Sequence, residues 1–192
     1  MPEPREVIQM RENSSNREYV LNAVKENGKL IEFADDIFKD DKEIMLLAIA
    51  NNPEALEFAS DRLKQDREVV YNSVSEVGWT YCYAKGDLLK DRELLLAGLK
   101  KNGQILYYAD KALRDDKEVV MEAIEAKPII IKYASYRLRN DLEVGLAVMQ
   151  KDKKCYKFLT QELQSNEEIL NIKNAEWLKL LNFLFCDTMS KV

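Results

Sequence analysis

The chain has 192 residues, a formal net charge of −5, three cysteines and no histidine. This length can bury the core of one domain, and since no run of eighteen apolar residues occurs, the sequence predicts no membrane span. The negative charge argues against a general nucleic-acid binder, which needs a cationic surface against the phosphates. The lack of histidine removes the commonest general base and metal ligand, so we expect no catalytic centre, no metal site and no cofactor.

The first part of the chain, residues 1–15, is polar, and we interpret it as an N-terminal cap or a flexible lead. It lacks the apolar segment of a secretory signal. The three cysteines, Cys82, Cys155 and Cys186, are far apart and show neither a metal-ligand pattern nor a disulfide framework. The sequence therefore predicts reduced thiols in a cytoplasmic protein.

From Asn16 onward the sequence repeats every 25 residues without insertion or deletion. The first residue of each copy, position 0, is Asp or Asn in seven of seven copies: Asn16, Asp41, Asp66, Asp91, Asp116, Asp141 and Asn166. Such residues cap helices, because their side chains accept hydrogen bonds from the free N–H groups of the first turn. Glutamate follows at position 2 in all seven copies, where the helix dipole favours negative charge. The repeat thus predicts seven helix N-termini.

An apolar pattern of helical spacing follows each cap, for example Val119, Val120, Ala123 and Ile124 in copy five. It predicts a first helix, the A helix, with one buried face. The A helix is expected to end at a turn marked by Asn-Gly, Asn-Pro or a lone Gly or Pro, with glycine at the C′ position.

A second helix, the B helix, is predicted between this turn and a leucine column at position 22. Position 17 is aromatic in every copy, and we interpret this column as a core spine, with a stacking platform for bases as the alternative. Helices of about two to three turns are unstable alone, whereas stacked copies bury each other's apolar faces. The predicted fold is therefore an all-α solenoid of seven 25-residue helix-turn-helix repeats in a single domain.

Six regular copies occupy residues 16–165. Residues 166–192 form a degenerate seventh copy, whose apolar run from Trp177 to Phe185 is predicted to be a C-terminal capping helix.

Three segments carry a family resemblance: Asp116-Lys-Glu-Val-Val-Met-Glu-Ala-Ile, Asn102-Gly-Gln-Ile-Leu-Tyr-Tyr-Ala-Asp and Lys132-Tyr-Ala-Ser-Tyr-Arg-Leu-Arg-Asn-Asp. They resemble the repeat of the domain-of-unknown-function family 4116. The resemblance covers residues 16–165 well and the tail weakly, and copy six departs from it at Gly145 and at Asp152-Lys153. It implies a repeat fold and no established activity, so it assigns no functional residue.

Two acidic patterns are candidate cation sites. The glutamate column is interpreted as helix-stabilising, since a binding site rarely needs seven equivalent copies. The pairs Asp35-Asp36 and Asp40-Asp41 lack the ligand number and the loop of a calcium site, so we interpret them as a solvated acidic end.

Function is expected where the copies differ at exposed positions. Positions 13, 16 and 20 share one face if the B segment is α-helical. Along this stripe the residues change from acidic, through apolar and aromatic, to basic. Trp79, Tyr107, Ile129 and Tyr136 are the predicted partner-binding residues, because exposed aromatic residues are favoured interface anchors. The alternatives are that the B helix is rotated and buries them, or that these copies drifted without purpose.

These patterns predict a non-enzymatic scaffold for a protein or peptide partner. A nucleic-acid-binding helical repeat is the alternative, because such repeats can read bases one unit at a time. A carboxylate-dependent enzyme is a third possibility and requires a pocket with convergent acids. The oligomeric state is left open by the sequence.

Overall fold

The structure, a computed structural model, describes residues 4–175, and within that range it contains helices and no strand. The A helices of copies one to six are α-helices that run Arg17–Glu26, Lys42–Asn51, Arg67–Val74, Arg92–Lys101, Lys117–Ala126 and Leu142–Lys151. An N-terminal helix, Arg5–Glu12, precedes them, and the described part of copy seven is helical over 167–175. The C-terminal capping helix predicted around Trp177 lies outside the described residues.

The seven predicted helix caps are confirmed. Each cap side chain accepts a hydrogen bond from a backbone N–H of its first turn. The Asp41 carboxylate, for example, accepts from the N–H groups of Glu43 at 2.9 Å and Ile44 at 3.2 Å. The predicted apolar face is also found: positions 3, 4, 7 and 8 are buried in copies two to six.

The B segment differs from the α-helix expected. It is a six-residue 3₁₀ helix, found at Gly28–Phe33, Pro53–Phe58, Gly78–Tyr83, Gly103–Tyr108, Pro128–Tyr133 and Lys153–Phe158. In four copies an Asn or Asp at position 11 caps it by accepting from the N–H of position 13. With three residues per turn, positions 13 and 16 share one face, and positions 15 and 18 share another.

A third helical segment, the closing turn, completes each of copies one to six. The closing turns are Asp36–Lys39, Leu63–Gln65, Gly86–Lys90, Lys111–Arg114, Tyr136–Arg139 and Gln161–Gln164. Position 20 therefore lies outside the B helix, and the predicted three-position stripe is divided between two segments.

The glycine at position 12 does not form the C′ turn expected. Gly86, with φ of 62°, is the one positive-φ residue in the described part of the chain. Gly28 and Gly78 are instead glycines because of close approach: a Cβ atom on Gly28 would lie 2.2 Å from the Ala48 carbonyl oxygen, and one on Gly78 would lie 2.3 Å from that of Gly98. Each of these glycines thus lets a B helix pack directly on the A helix of the next copy.

The chain divides into two compact units, Met1–Asp110 and Lys111–Val192. In the first unit the A helices of copies one to four pack on one another in order, and their B helices form a second layer in the same order. The N-terminal helix covers copy one and buries Met10. In the second unit the A helices of copies five and six pack together, as do their B helices.

Successive copies are joined by a backbone hydrogen bond from a residue just before the closing turn of one copy to a carbonyl in the closing turn of the preceding copy. The N–H at position 19 donates to the carbonyl at position 23 of the preceding copy, as in Ser60 to Lys39 at 3.0 Å and Lys85 to Lys64 at 2.9 Å. The second unit repeats this bond from Ser135 to Arg114 at 2.9 Å. Since this bond uses main-chain atoms, it tolerates any side chain except proline at position 19.

A basic residue at position 1 links neighbouring copies along the A layer. The Arg67 guanidinium lies 2.6 Å from a carboxylate oxygen of the cap Asp91 and 2.8 Å from one of Glu93. Lys117 reaches Asp141 and Glu143 in the same way, at 2.8 Å each. The glutamate column thus serves in ion pairs between copies as well as in the first helical turn.

One prediction concerns the carboxylate at position 24. The Ser135 hydroxyl donates to Asp115, and the Arg137 Nε donates to its two oxygens at 3.0 and 3.2 Å. Ser135, followed by Arg137, therefore lowers the pKa of Asp115. A carboxyl whose pKa is depressed by folding stabilises the protein above its unfolded pKa and loses that contribution as pH falls through the folded pKa. Asp115→Asn should thus lower the urea midpoint at pH 7, and its deficit should shrink below about pH 4.

The matched control is Glu122→Gln, an exposed carboxylate of the following copy that makes no ion pair within residues 4–175. Its effect on the urea midpoint should be small. An Asp115→Asn deficit that stays constant or grows on acidification would contradict the assigned role of Asp115.

No helix in the described range is both long enough and apolar enough to cross a bilayer.

Candidate interaction surface

The B helices expose one side of each unit. We call positions 13, 16 and 17 of copies one to four the first B face: Lys29, Glu32, Phe33, Glu54, Glu57, Phe58, Trp79, Cys82, Tyr83, Gln104, Tyr107 and Tyr108. The same positions of copies five and six are the second B face: Ile129, Lys132, Tyr133, Lys154, Lys157 and Phe158. Positions 14, 15 and 18 are buried in copies one to five, so each of these 3₁₀ helices separates a packing side from a solvent side.

Aromatic residues concentrate in copies three and four of the first B face. The Trp79 and Tyr83 rings meet edge to face with centroids 5.6 Å apart, and the Tyr107 and Tyr108 rings do so at 5.1 Å. Their two B helices are packed neighbours. Trp79 is half-buried, whereas Tyr107 is 55% exposed and Tyr108 is 47% exposed. Exposed aromatic residues clustered in this way mark a candidate interaction site.

The interpretation of the position-17 aromatic column as a core spine is wrong. Its described members are half-buried or exposed, whereas positions 15 and 18 carry the core. Several of these rings instead pack against cations: Arg11 lies 4.9 Å from the Phe33 centroid, and Lys64 lies 5.8 Å from that of Tyr83. An aromatic residue that recurs at one position shows that its environment recurs in each copy, but it does not show that this environment is buried. Its seventh member, Phe183, is outside the described residues.

Acidic groups lie on and beside copies one and two of the first B face, and local cations pair with two of them. Lys29 lies 3.4 Å from Glu54, and Lys85 lies 2.6 Å from Asp61, whose pKa it lowers. Burial, followed by a hydrogen bond to Glu57, raises the pKa of Tyr83 to about 12. The Tyr83 hydroxyl therefore stays protonated at neutral pH and donates to Glu57.

The second B face is basic. Lys132, Lys154 and Lys157 are exposed, and no carboxylate pairs with them within residues 4–175. Two of these lysines fold over the ring of the next residue: Lys132 lies 4.6 Å from the Tyr133 centroid, and Lys157 lies 5.1 Å from that of Phe158.

The four predicted partner-binding residues are all accessible, although not equally. Trp79 and Tyr107 lie on adjacent B helices of the first unit. Ile129, 36% exposed, and Tyr136, 59% exposed, belong to the second unit, and Tyr136 begins the closing turn that follows the B helix of Ile129. The alternative in which a rotated B helix buries these residues does not hold for Tyr107 or Tyr136.

The sequence pattern does not single out two further features. Tyr108 was assigned to the spine and lies at the surface. The second feature is the basic residue at position 1. It recurs in copies one to five, 24 residues before a cap and 26 before a glutamate, and this spacing is the signal for the ion pairs between copies.

Groups suited to catalysis or metal binding are scarce. In the part of the chain that the structure describes, no cluster of three or more Cys, Asp or Glu side chains could hold a metal ion. Burial, followed by the charge of Glu57, raises the pKa of Cys82, and burial likewise raises that of Cys155, so both thiols are protonated at neutral pH. A cavity of about 370 Å³ on the A layer is lined by two carboxylates, Glu68 and Glu76. The Glu68 carboxylate forms an ion pair with Lys42 at 2.8 Å.

The fold and its 25-residue period define a tandem helical-repeat protein. The profile described as Domain of unknown function (DUF4116) matches three consecutive segments, residues 16–64, 66–114 and 116–164, and the chain belongs to this family. Each match begins at a helix cap and spans two copies, so the family unit is a pair of 25-residue repeats. No curated protein and no solved structure gives a significant match to the chain.

Proposed function

We propose that the chain is a seven-copy α-solenoid that serves as a cytoplasmic, non-enzymatic scaffold and binds a protein or peptide along its B faces. The observation that carries this proposal is the exposure of residues that break the repeat. Tyr107, on the first B face, and Tyr136, in the closing turn beside the second B face, are more than half exposed, at positions where other copies hold charged, polar or small residues.

The different roles of the A helix and of the solvent side of the B helix support the proposal. The caps, the A-helix core and the position-1 ion pairs are nearly the same from copy to copy, because they hold the copies together. The solvent side of the B helix is not needed to hold the copies together. Its residues can therefore vary without loss of stability, and in repeat proteins such a surface is suited to recognition.

Aromatic residues there also match the composition of binding surfaces. Interfaces are enriched in Trp and Tyr, and a few such residues carry most of the binding energy. The two edge-to-face pairs, Trp79 with Tyr83 and Tyr107 with Tyr108, restrict the rings before any partner arrives. Binding then orders fewer side chains and costs less entropy.

The experiment compares partner recovery by the wild-type chain and by the double variant Trp79→Ala/Tyr107→Ala, used as immobilised bait in an extract of its source organism. We expect recovery of a specific protein partner to fall at least about tenfold, since truncation of two interface anchors costs more than 1 kcal/mol each.

Tyr71→Ala is the matched control, because Tyr71 is 41% exposed on the A helix of copy three. It should leave recovery unchanged. Equal recovery by the wild-type chain and the double variant, or the same loss in the Tyr71 control, would remove the assignment to the first B face.

A further inference from the structure

A small cavity opens beside the second B face, in the second unit. Its volume is about 250 Å³, and it is lined by Lys111, Arg114, Tyr133, Ala134 and Ser135. Two of these side chains are cationic and none is acidic. The Asp115 carboxylate, next to Ser135, is already held by the Ser135 hydroxyl and by Arg137.

Lysines continue this cationic character across the surface. The Lys132 ammonium lies over the same Tyr133 ring that lines the cavity. Lys154 and Lys157 follow on the B helix that packs beside it. The one carboxylate at the start of that helix, Asp152, accepts from the Lys154 backbone N–H as its cap. The lysine ammonium groups therefore remain available to an outside anion.

Exposed apolar groups accompany the cations. Ile129 begins the second B face and Tyr136 follows it, and both are solvent-accessible. A ligand complementary to this surface must carry several negative charges and at least one apolar side chain. A peptide with Asp or Glu residues between aliphatic or aromatic ones meets both requirements.

Single-stranded nucleic acid fits this surface less well. Bases bind to proteins by stacking on free aromatic faces. Here the Tyr133 and Phe158 rings already have the ammonium groups of Lys132 and Lys157 against them. The chain also carries a net charge of −5, which opposes a polyphosphate more than it opposes a short acidic segment.

We propose that the second B face, with the cavity formed by Lys111, Arg114 and Tyr133, is a docking site for an acidic peptide segment of a partner protein. One acidic side chain enters the cavity, flanking carboxylates pair with Lys132, Lys154 and Lys157, and apolar side chains pack on Ile129 and Tyr136. This inference rests on the proposed function as a protein-binding scaffold and adds the chemistry of the partner.

The test measures fluorescence polarisation of labelled probes with the full chain. The probes are a peptide of about twelve residues in which Glu alternates with Leu and Phe, the same peptide with Gln in place of Glu, and an oligothymidylate of similar length. We expect the Glu peptide to bind at least about tenfold more tightly than the Gln peptide. Its affinity should fall as salt rises, because ions screen exposed charges over roughly 10 Å at 0.1 M.

The diagnostic variant is Lys154→Glu/Lys157→Glu, which should weaken binding of the Glu peptide at least about tenfold. Its matched control, Lys25→Glu/Lys100→Glu, makes the same change in net charge at exposed positions near the ends of A helices and should bind as the wild type does. Circular dichroism of both variants verifies that they remain folded.

Three results would overturn the inference: equal binding of the Glu and Gln peptides, unchanged binding by the Lys154/Lys157 variant, or tighter binding of the oligothymidylate than of the Glu peptide. Failure here leaves the scaffold proposal standing if Trp79→Ala/Tyr107→Ala still loses its partner. The scaffold proposal is lost only if that double variant also retains wild-type recovery.

Discussion

Replacing Gly28 by alanine is expected to destabilise the protein by about 1–3 kcal/mol, the usual range for forcing an extra carbon into a packed site. The added Cβ atom would lie 2.2 Å from the Ala48 carbonyl oxygen, so a B helix and the next A helix must move apart. Main-chain atoms cannot rotate away as a flexible side chain does. Urea unfolding followed by circular dichroism measures the loss.

Pro53→Ala is the matched control, since Pro53 occupies the same position of copy two and already carries a Cβ atom. It should cost less than about 1 kcal/mol, mainly through the greater freedom of the unfolded chain. If Gly28→Ala were as mild as Pro53→Ala, the close approach of the two copies would not be a feature of the folded protein.

The second large effect contrasts two residues of one B helix. Leu106 is fully buried, whereas Tyr108 is 47% exposed. Leu106→Ala should cost about 2–5 kcal/mol, the range for deletion of a buried leucine side chain. Tyr108→Ala should cost about 1 kcal/mol, since it loses mainly the edge contact with Tyr107.

Urea unfolding of the two variants side by side checks this order. If Tyr108→Ala were the more destabilising variant, the aromatic column would belong to the core. The B helix would then not have separate packing and solvent sides.

The A layer was predictable because its signals are local. Asp or Asn at position 0 and Glu at position 2 act within one helical turn, and an A helix of eight to ten residues is long enough to display a 3.6-residue period. The B helix has six residues, and such a window does not separate a period of 3.0 from one of 3.6. Its 3₁₀ geometry depends on packing against the next copy, as the contact of Gly28 with Ala48 illustrates.

The candidate surface was predictable only in part. Variation between copies at positions 13 and 16 pointed to Trp79, Tyr107 and Ile129, and the structure exposes Tyr107 and Ile129 more fully than Trp79. Variation could not find Tyr108, since an aromatic residue occupies its position in every copy. Nor could it find the cavity at Tyr133, which is formed by side chains of two successive copies.

The regular positions of the repeat therefore hold neighbouring copies together, whereas the variable positions face solvent. Residues that contact the next copy, such as Arg67 and Asp91, are restricted by that contact. Residues on the solvent side of the B helix are not, and there the chain changes from acidic in copy two to basic in copy six. The same backbone thus presents different chemistry from copy to copy.

Photo-crosslinking tests most directly whether the B faces bind a partner. Benzoylphenylalanine is introduced in place of Tyr107 in one chain and in place of Tyr71 in another, and both are irradiated in an extract of the source organism. Our account predicts a discrete covalent adduct from position 107 that unlabelled wild-type chain competes away, and none from position 71. Adducts from position 71 alone, or the same adducts from both, would contradict it.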